Sequence, residues 1–214
     1  ALLEANRYDM ELAEVEGDAL FFYKENQLLA KKDLFAQMEA MYVAFYSHLK
    51  ILEKNRVCNC QACSTAIDLE LKIVVHTGPF QFIEIQNRRK PFGEAVIQVH
   101  RLLKNSIKSD NYVLISDDMV KAIDLNAINE NSLFNFKKGE DIYDNKTLEY
   151  LYAEIKIDAL RLNPFDGGKA ISMTKAPDLV FERTYSISAN DLMEIITNYK
   201  YRYSWDANAD EIIY

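Results

Sequence analysis

The sequence predicts an α+β sandwich, with α/β as the neighbouring class, on three observations. Two extended runs flank a Gly-Asp pair at residue 17. A stripe of apolar residues recurs at steps of three and four from Leu34. Strand-like and helix-like segments then alternate as far as Ile157. Alternation of this kind favours sheets covered by helices over an all-helical bundle. The 214 residues suffice for one large domain or one and a half small ones, at about 150 residues per domain.

Taken in order, ALLEAN (1–6) reads as the last turns of a helix. Met10, Leu12 and Val15 share a face of a strand, Gly17-Asp18 supplies the turn, and Ala19 to Tyr23 returns as its partner. Leu34, Met38, Met41, Phe45, Leu49 and Leu52 form one buried helical face, with Asp33 as its N-cap. Leu69 to Val75 is a buried strand that stops at His76-Thr77-Gly78-Pro79. Phe80, Phe82, Ile83 and Ile85 mark another strand, and Asn87 to Lys90 a charged turn. Gly93 to Asn105 is helical, with Val96, Val99, Leu102 and Leu103 inward. Tyr112 to Ile115 is a short strand, Ser116-Asp117-Asp118 opens a helix, 126–146 is polar and irregular, and Leu148 to Ile157 is again strand-like. NPFDGGK (163–169) is the strongest linker signal and sets a boundary near residue 168, giving domains 1–168 and 169–214. Beyond it Leu179 to Ile187 reads as a strand, and Ser188 to Asp191 as a capping-box-like start for a helix.

Composition narrows the function classes. Thirty-three acids against 25 bases give a net charge of −8 and argue against a nucleic-acid binder, which needs a basic face to displace counterions. No stretch approaches the roughly 18 apolar residues of a membrane span. No signal or transit segment opens the chain, and three cysteines crowded between Cys58 and Cys63 are unlike a disulfide framework. A cytoplasmic protein is expected. The opening at Ala1 and the apolar stop EIIY suggest that both ends continue.

Three stretches, in this order, resemble class III nucleotidyl cyclases. EVEGDALFFY (14–23) is similar to the family's Gly-Asp hairpin, LKIVVHTGPF (71–80) to its strand and HTG turn, and GEAVIQVHRLLKNS (93–106) to its G-D-x-V-N-x-A-x-R-L helix. The cysteine loop and the C-terminal extension look closer still to a bacterial cyclase-like family known only as a domain of unknown function, DUF2652. The resemblance implies a ferredoxin-like sandwich and a homodimer, because the family's active sites form between two chains. It also implies two metal ions, Mg or Mn, that clamp the attacking and leaving oxygens.

On that resemblance, Asp18 corresponds to the second of two metal-binding aspartates. The first belongs to a D-I-S-G-F-T-like strand that would precede Ala1. Glu14, four residues before Asp18, corresponds to the base-selecting position, where a carboxylate accepts from the N1 and N2 edge of guanine. Lys90 falls at the second base-selecting position, where the family carries Asp or Cys. Arg101 matches the arginine that stabilises the phosphates, whereas Ile97 replaces the asparagine that orients the ribose. Losing one oriented polar contact costs about 10²–10³ in rate.

Each residue also has a plainer reading. Asp18 fits the second position of a tight turn, Glu14 and Glu16 the solvent face of a strand, and Arg101 a partner for Glu94. His76 suits a turn-stabilising histidine better than a catalytic one. Cys58, Cys60 and Cys63 offer three thiolates that fit a tetrahedral zinc completed by His48, or free thiols, or a redox disulfide.

Residues 176–214 resemble the opening of a START-like, helix-grip (SRPBCC) domain, a partial β-α-β segment. The resemblance implies a cavity for a hydrophobic small molecule in the complete domain. The expectation is a degenerate cyclase-like module that binds nucleotide or regulates rather than catalyses, coupled to that ligand-binding domain. Two alternatives stand beside it: an active purine nucleotide cyclase with guanine preference, and a dimerisation scaffold with a cysteine-bound zinc.

Overall fold

The hairpin expected around Gly17 forms. In a computed structural model that describes residues 1–54, 65–85, 88–125, 133–164, 182–198 and 201, β1 (Glu11–Glu16) and β2 (Ala19–Tyr23) pair antiparallel. Gly17 adopts φ 62°, a left-handed value that a side chain would penalise, so the tight turn depends on it. A bulge between Leu12 and Glu14 breaks strict alternation, and Leu12 and Val15 are exposed. Residues 1–6 form an isolated turn, closed by Ala5 N–H to the Ala1 carbonyl. The structure divides into two units, residues 1–46 with 70–163, and 47–69 with 164–214.

A four-stranded mixed sheet organises the first unit. Its order is β3 (Lys72–Val75), β6 (Tyr112–Ser116), β8 (Lys146–Glu154) and β7 (Lys137–Tyr143). The strands β3 and β6 run parallel, and the other neighbours antiparallel. Every residue of β6 is buried, as its uninterrupted apolar run demands of a central strand covered on both faces. Tyr112 and Leu114 project to one face, where Leu102 of α2 (Glu94–Leu103) joins them with Tyr150. Val113 and Ile115, fully buried, fill the other.

The helix α1 (Lys31–Lys54) carries the expected stripe, widened by Phe35, Tyr42 and Tyr46. Asp33 lies inside its first turn rather than before it, where a carboxylate favours the helix dipole. Leu52 is exposed, so the buried stripe stops short of the helix end. Phe35 packs against Phe134 and Phe136, ring centres 5.6 and 5.9 Å away. The buried side chain of Gln37 accepts from Arg7 N–H and donates to the Ala5 carbonyl, which fastens the N-terminal segment.

Several segments differ from expectation. The charged turn expected over Asn87 to Lys90 is instead, from Arg88, the start of β5 (Arg88–Phe92), paired with β4 (Gln81–Ile85) in a separate two-stranded sheet. Pro91 is tolerated because among the described residues β5 has a strand neighbour on one side only. The polar stretch before Lys146 contains β7, joined to β8 by Asp144-Asn145, both with positive φ as a tight two-residue turn requires. Gly139 of β7 lies opposite Tyr150, and a Cβ there would stand 2.4 Å from that ring. In the second unit, residues 182–187 are not strand, whereas Ser188 caps α4 (Ala189–Thr197) as its sequence predicts. The short α3 (Asp117–Ala122) follows β6 directly, with Ser116 as N-cap. Leu103, expected inward on α2, is exposed.

Candidate functional site

The hairpins β1–β2 and β4–β5 touch through side chains and bring together residues far apart in sequence. Tyr23 of β2 lies edge-on to Phe80 and Phe82, ring centres 5.9 and 5.4 Å away. Beside this aromatic contact the Arg89 guanidinium covers the Phe82 ring and donates to Glu25 at 3.1 Å. The same juxtaposition sets Lys90 Nζ 2.6 Å from Glu14 Oε1, across 76 residues of chain. Their side chains are 35% and 38% exposed, so the ion pair contributes at most about 1 kcal/mol and both head groups stay open to a ligand.

The helix α2 adds the remaining residues in two directions. His100 touches the first hairpin, edge-on to Phe21 and 3.8 Å from Glu16. Arg101, one residue further, bonds Asp144 in the β7–β8 turn rather than Glu94. Ile97 is 48% exposed, an apolar side chain facing solvent. Asp18 sits in the exposed Gly17 turn and makes no hydrogen bond or ion pair among the described residues. Thus Glu14 and Lys90 meet each other, whereas Arg101 pairs with Asp144 and Asp18 forms no hydrogen bond or ion pair with them. Among the described residues no three His, Cys, Asp or Glu side chains converge as a metal site. Cys58, Cys60 and Cys63 lie outside the described residues, and His48 is exposed on α1. No described helix is long and apolar enough to cross a membrane.

A second feature was not legible in the sequence. A cleft of about 770 Å³ opens at the carboxyl ends of the parallel strands β3 and β6, where the HTGP turn and the Ser116-Asp117-Asp118 segment emerge side by side. Crevices of open α/β sheets form at such strand ends. His76 lies at its floor with a side chain only 4% exposed, Nδ1 2.8 Å from Ser116 Oγ and 3.9 Å from Asp118 Oδ2. Ser116 Oγ also accepts from Met119 N–H and is buried, so this pair is a cap and not a nucleophile with its base. The signal was present as two strands each ending in a small polar turn. Their parallel adjacency was hidden by the hairpin and helix between them.

Burial pushes the His76 imidazole below its ordinary value near 6.5; Asp118 opposes this and Lys146 reinforces it. The native ring resists a proton that the unfolded ring accepts. The resulting stability is intact above a pH of about 6.5 and is lost as pH falls through that value toward the lower native one. Urea unfolding between about pH 8 and pH 5 should show a smaller loss on acidification in His76→Gln than in wild type. An equal loss in both would place the titration elsewhere.

Comparison with known proteins adds a family and a relative. The family described as "Protein of unknown function (DUF2652)" matches residues 1–112, which contain both hairpins, α1, β3 and α2. The Mycobacterium tuberculosis protein named "Uncharacterized protein Rv2561/Rv2562" is 30% identical over 117 residues, 54% of each chain. The chain therefore spans about half the length of that relative. No solved structure matches. With its pattern covering more than half of the sequence, the Glu14–Lys90 wall included, the chain belongs to the DUF2652 family.

Proposed function

We propose that the first unit is a cyclase-like module that binds a guanine nucleotide and does not cyclise it. One observation carries the reading: Glu14 and Lys90, the two positions that the cyclase resemblance assigns to base selection, lie 2.6 Å apart on separate hairpins. Side by side, a carboxylate and an ammonium match the guanine edge. The carboxylate accepts from N1–H and N2–H, and Lys90 donates to O6. Adenine inverts the functions at positions 6 and 1, setting N6–H donors against the ammonium and an N1 lone pair against the carboxylate, and it has no N2 amine.

The remaining residues support binding rather than chemistry. Arg101 is positioned to exchange Asp144 for a phosphate, both being anionic partners of a guanidinium at the surface. Ile97 supplies no hydrogen bond to a ribose, which removes the orientation that in-line attack requires. Asp18 would hold metal together with an aspartate on the D-I-S-G-F-T-like strand that the resemblance implies. Dimerisation, and coupling to a START-like domain for a hydrophobic ligand, belong to the same proposal and rest on that resemblance.

The test uses the full-length protein with GTP or ATP and Mg²⁺ or Mn²⁺. GTP at 100 times its dissociation constant should stabilise the protein by about 2.7 kcal/mol in thermal unfolding, ATP at equal concentration by less, and no cyclic nucleotide should accumulate. Cyclic product would establish the enzyme instead. Absence of any GTP-dependent shift would remove the binding reading.

A further inference from the structure

The cleft at the ends of β3 and β6 has a chemistry of its own. Its walls carry four carboxylates, Glu94, Asp117, Asp118 and Glu149, against one lysine, Lys146. Lys146 is spent on Glu94 at 2.8 Å, and Asp117 is paired with Lys121. Among the described residues Asp118 and Glu149 have no such cationic partner at ion-pair distance. Part of this acidity has a local cause, since Glu94, Asp117 and Asp118 occupy first turns of helices, where carboxylates favour the dipole. Helix capping does not explain Glu149, which comes from β8, and it does not explain the floor.

At the floor the His76 side chain is more than nine-tenths buried, yet its Nε2 has no hydrogen-bond partner among the described residues. A buried polar atom left unpaired costs about 1–3 kcal/mol. Gly78 lies close against that nitrogen, since a Cβ on it would stand 3.3 Å from Nε2 and 3.0 Å from Ala95 Cβ. The other ring nitrogen fixes what Nε2 can do. A proton on Nδ1, 3.9 Å from Asp118 Oδ2, would be donated to Ser116 Oγ at 2.8 Å and leave Nε2 as an acceptor. Nε2 then presents a lone pair and calls for a donor. Ala95, Leu102, Leu148 and Pro79 give the cleft apolar wall as well.

We propose that this cleft binds a small organic cation bearing N–H donors, an amine or a guanidine, which donates to His76 Nε2 and is neutralised by Asp118 and Glu149. The acidic lining repels polyphosphates, so this site is separate from the nucleotide wall and stands independently of the nucleotide reading. No three ligating side chains converge there among the described residues, which favours an organic over an inorganic cation.

The probes are n-butylammonium and butylguanidinium, with butyrate, tetramethylammonium and Mg²⁺ as comparisons. Each is titrated into the 214-residue chain, and the imidazole ¹⁵N resonances of its 3 histidines are followed by long-range heteronuclear NMR. At least one N–H cation should shift His76 Nε2 saturably. The Asp118→Asn/Glu149→Gln double variant, which retains shape, should weaken that binding at least tenfold. His76→Gln, whose fold is checked by its amide spectrum, should weaken it too. The proposal is overturned if butyrate or tetramethylammonium binds as well as the amines, if Mg²⁺ gives the larger Nε2 shift, or if no probe shifts His76 saturably.

Discussion

Glu14→Lys is expected to weaken GTP binding about a hundredfold or more and to abolish the preference for GTP over ATP. The carboxylate accepts two charge-assisted hydrogen bonds from guanine in the proposed complex, each worth about 1.5–3 kcal/mol. The substitution also sets two ammonium groups within reach of each other, since Lys90 Nζ already lies 2.6 Å from Glu14. Because the wild-type pair is more than a third exposed, its loss should cost the fold at most about 1 kcal/mol. The charge swap Glu14→Lys/Lys90→Glu separates the two roles. It re-forms an ion pair and returns stability to the wild-type value, but exchanges donor and acceptor along the edge that guanine reads. Isothermal titration should find GTP affinity still reduced in the swap. Recovered GTP affinity there would mean that the pair only braces the hairpins.

Tyr42→Ala is expected to destabilise the first unit by about 3–5 kcal/mol, the range for deleting a buried aromatic side chain. Tyr42 is fully buried on α1, and its hydroxyl donates to the Leu71 carbonyl at 2.9 Å, immediately before β3. Burial also pushes its phenol far above the ordinary value, so the group stays protonated and the bond persists across accessible pH. Tyr42→Phe should cost only about 1 kcal/mol, the net worth of one hydrogen bond. Urea unfolding measures both. A loss below about 1 kcal/mol in Tyr42→Ala would contradict the burial of α1 against this sheet.

The sequence announced some elements through physics that leaves a local trace. Gly17-Asp18 between extended runs announced the β1–β2 hairpin, the Leu34–Met38–Met41 spacing announced α1, and the apolar run Tyr112–Ile115 announced a central strand. What escaped lacked such a trace. The half-buried positions of β7 are Gly139, Asp141 and Tyr143, so no apolar alternation marks it. Its face is built instead by Tyr150 filling the place of an absent Cβ and by Asp141 accepting from Ser106 N–H and the Tyr150 hydroxyl. Likewise β5 reads RRKPF and is held by Arg89 on Phe82 of its own hairpin partner and by Lys90 on Glu14, a contact that exists only once two hairpins meet.

The candidate site divides along the same line. Glu14 and Lys90 could be named from resemblance to a family, but their contact is a tertiary fact. Arg101 could be named too, yet its partner is Asp144, in a turn whose hairpin was not foreseen, and not Glu94 one helical stripe away. The cleft over His76 required the parallel pairing of β3 with β6, whose partner residues lie 40 positions apart in sequence and are marked by no motif.

The most direct measurement of the central claim is a titration of the full-length protein with GTP, ITP and ATP, which differ along the edge that Glu14 and Lys90 would read. Inosine keeps O6 and N1–H and lacks the N2 amine; adenine lacks that amine too and reverses the functions at positions 6 and 1. Affinity should fall in the order GTP, ITP, ATP, with the GTP-to-ITP step vanishing in Glu14→Gln. Equal affinity for all three, or ATP bound tightest, would contradict it.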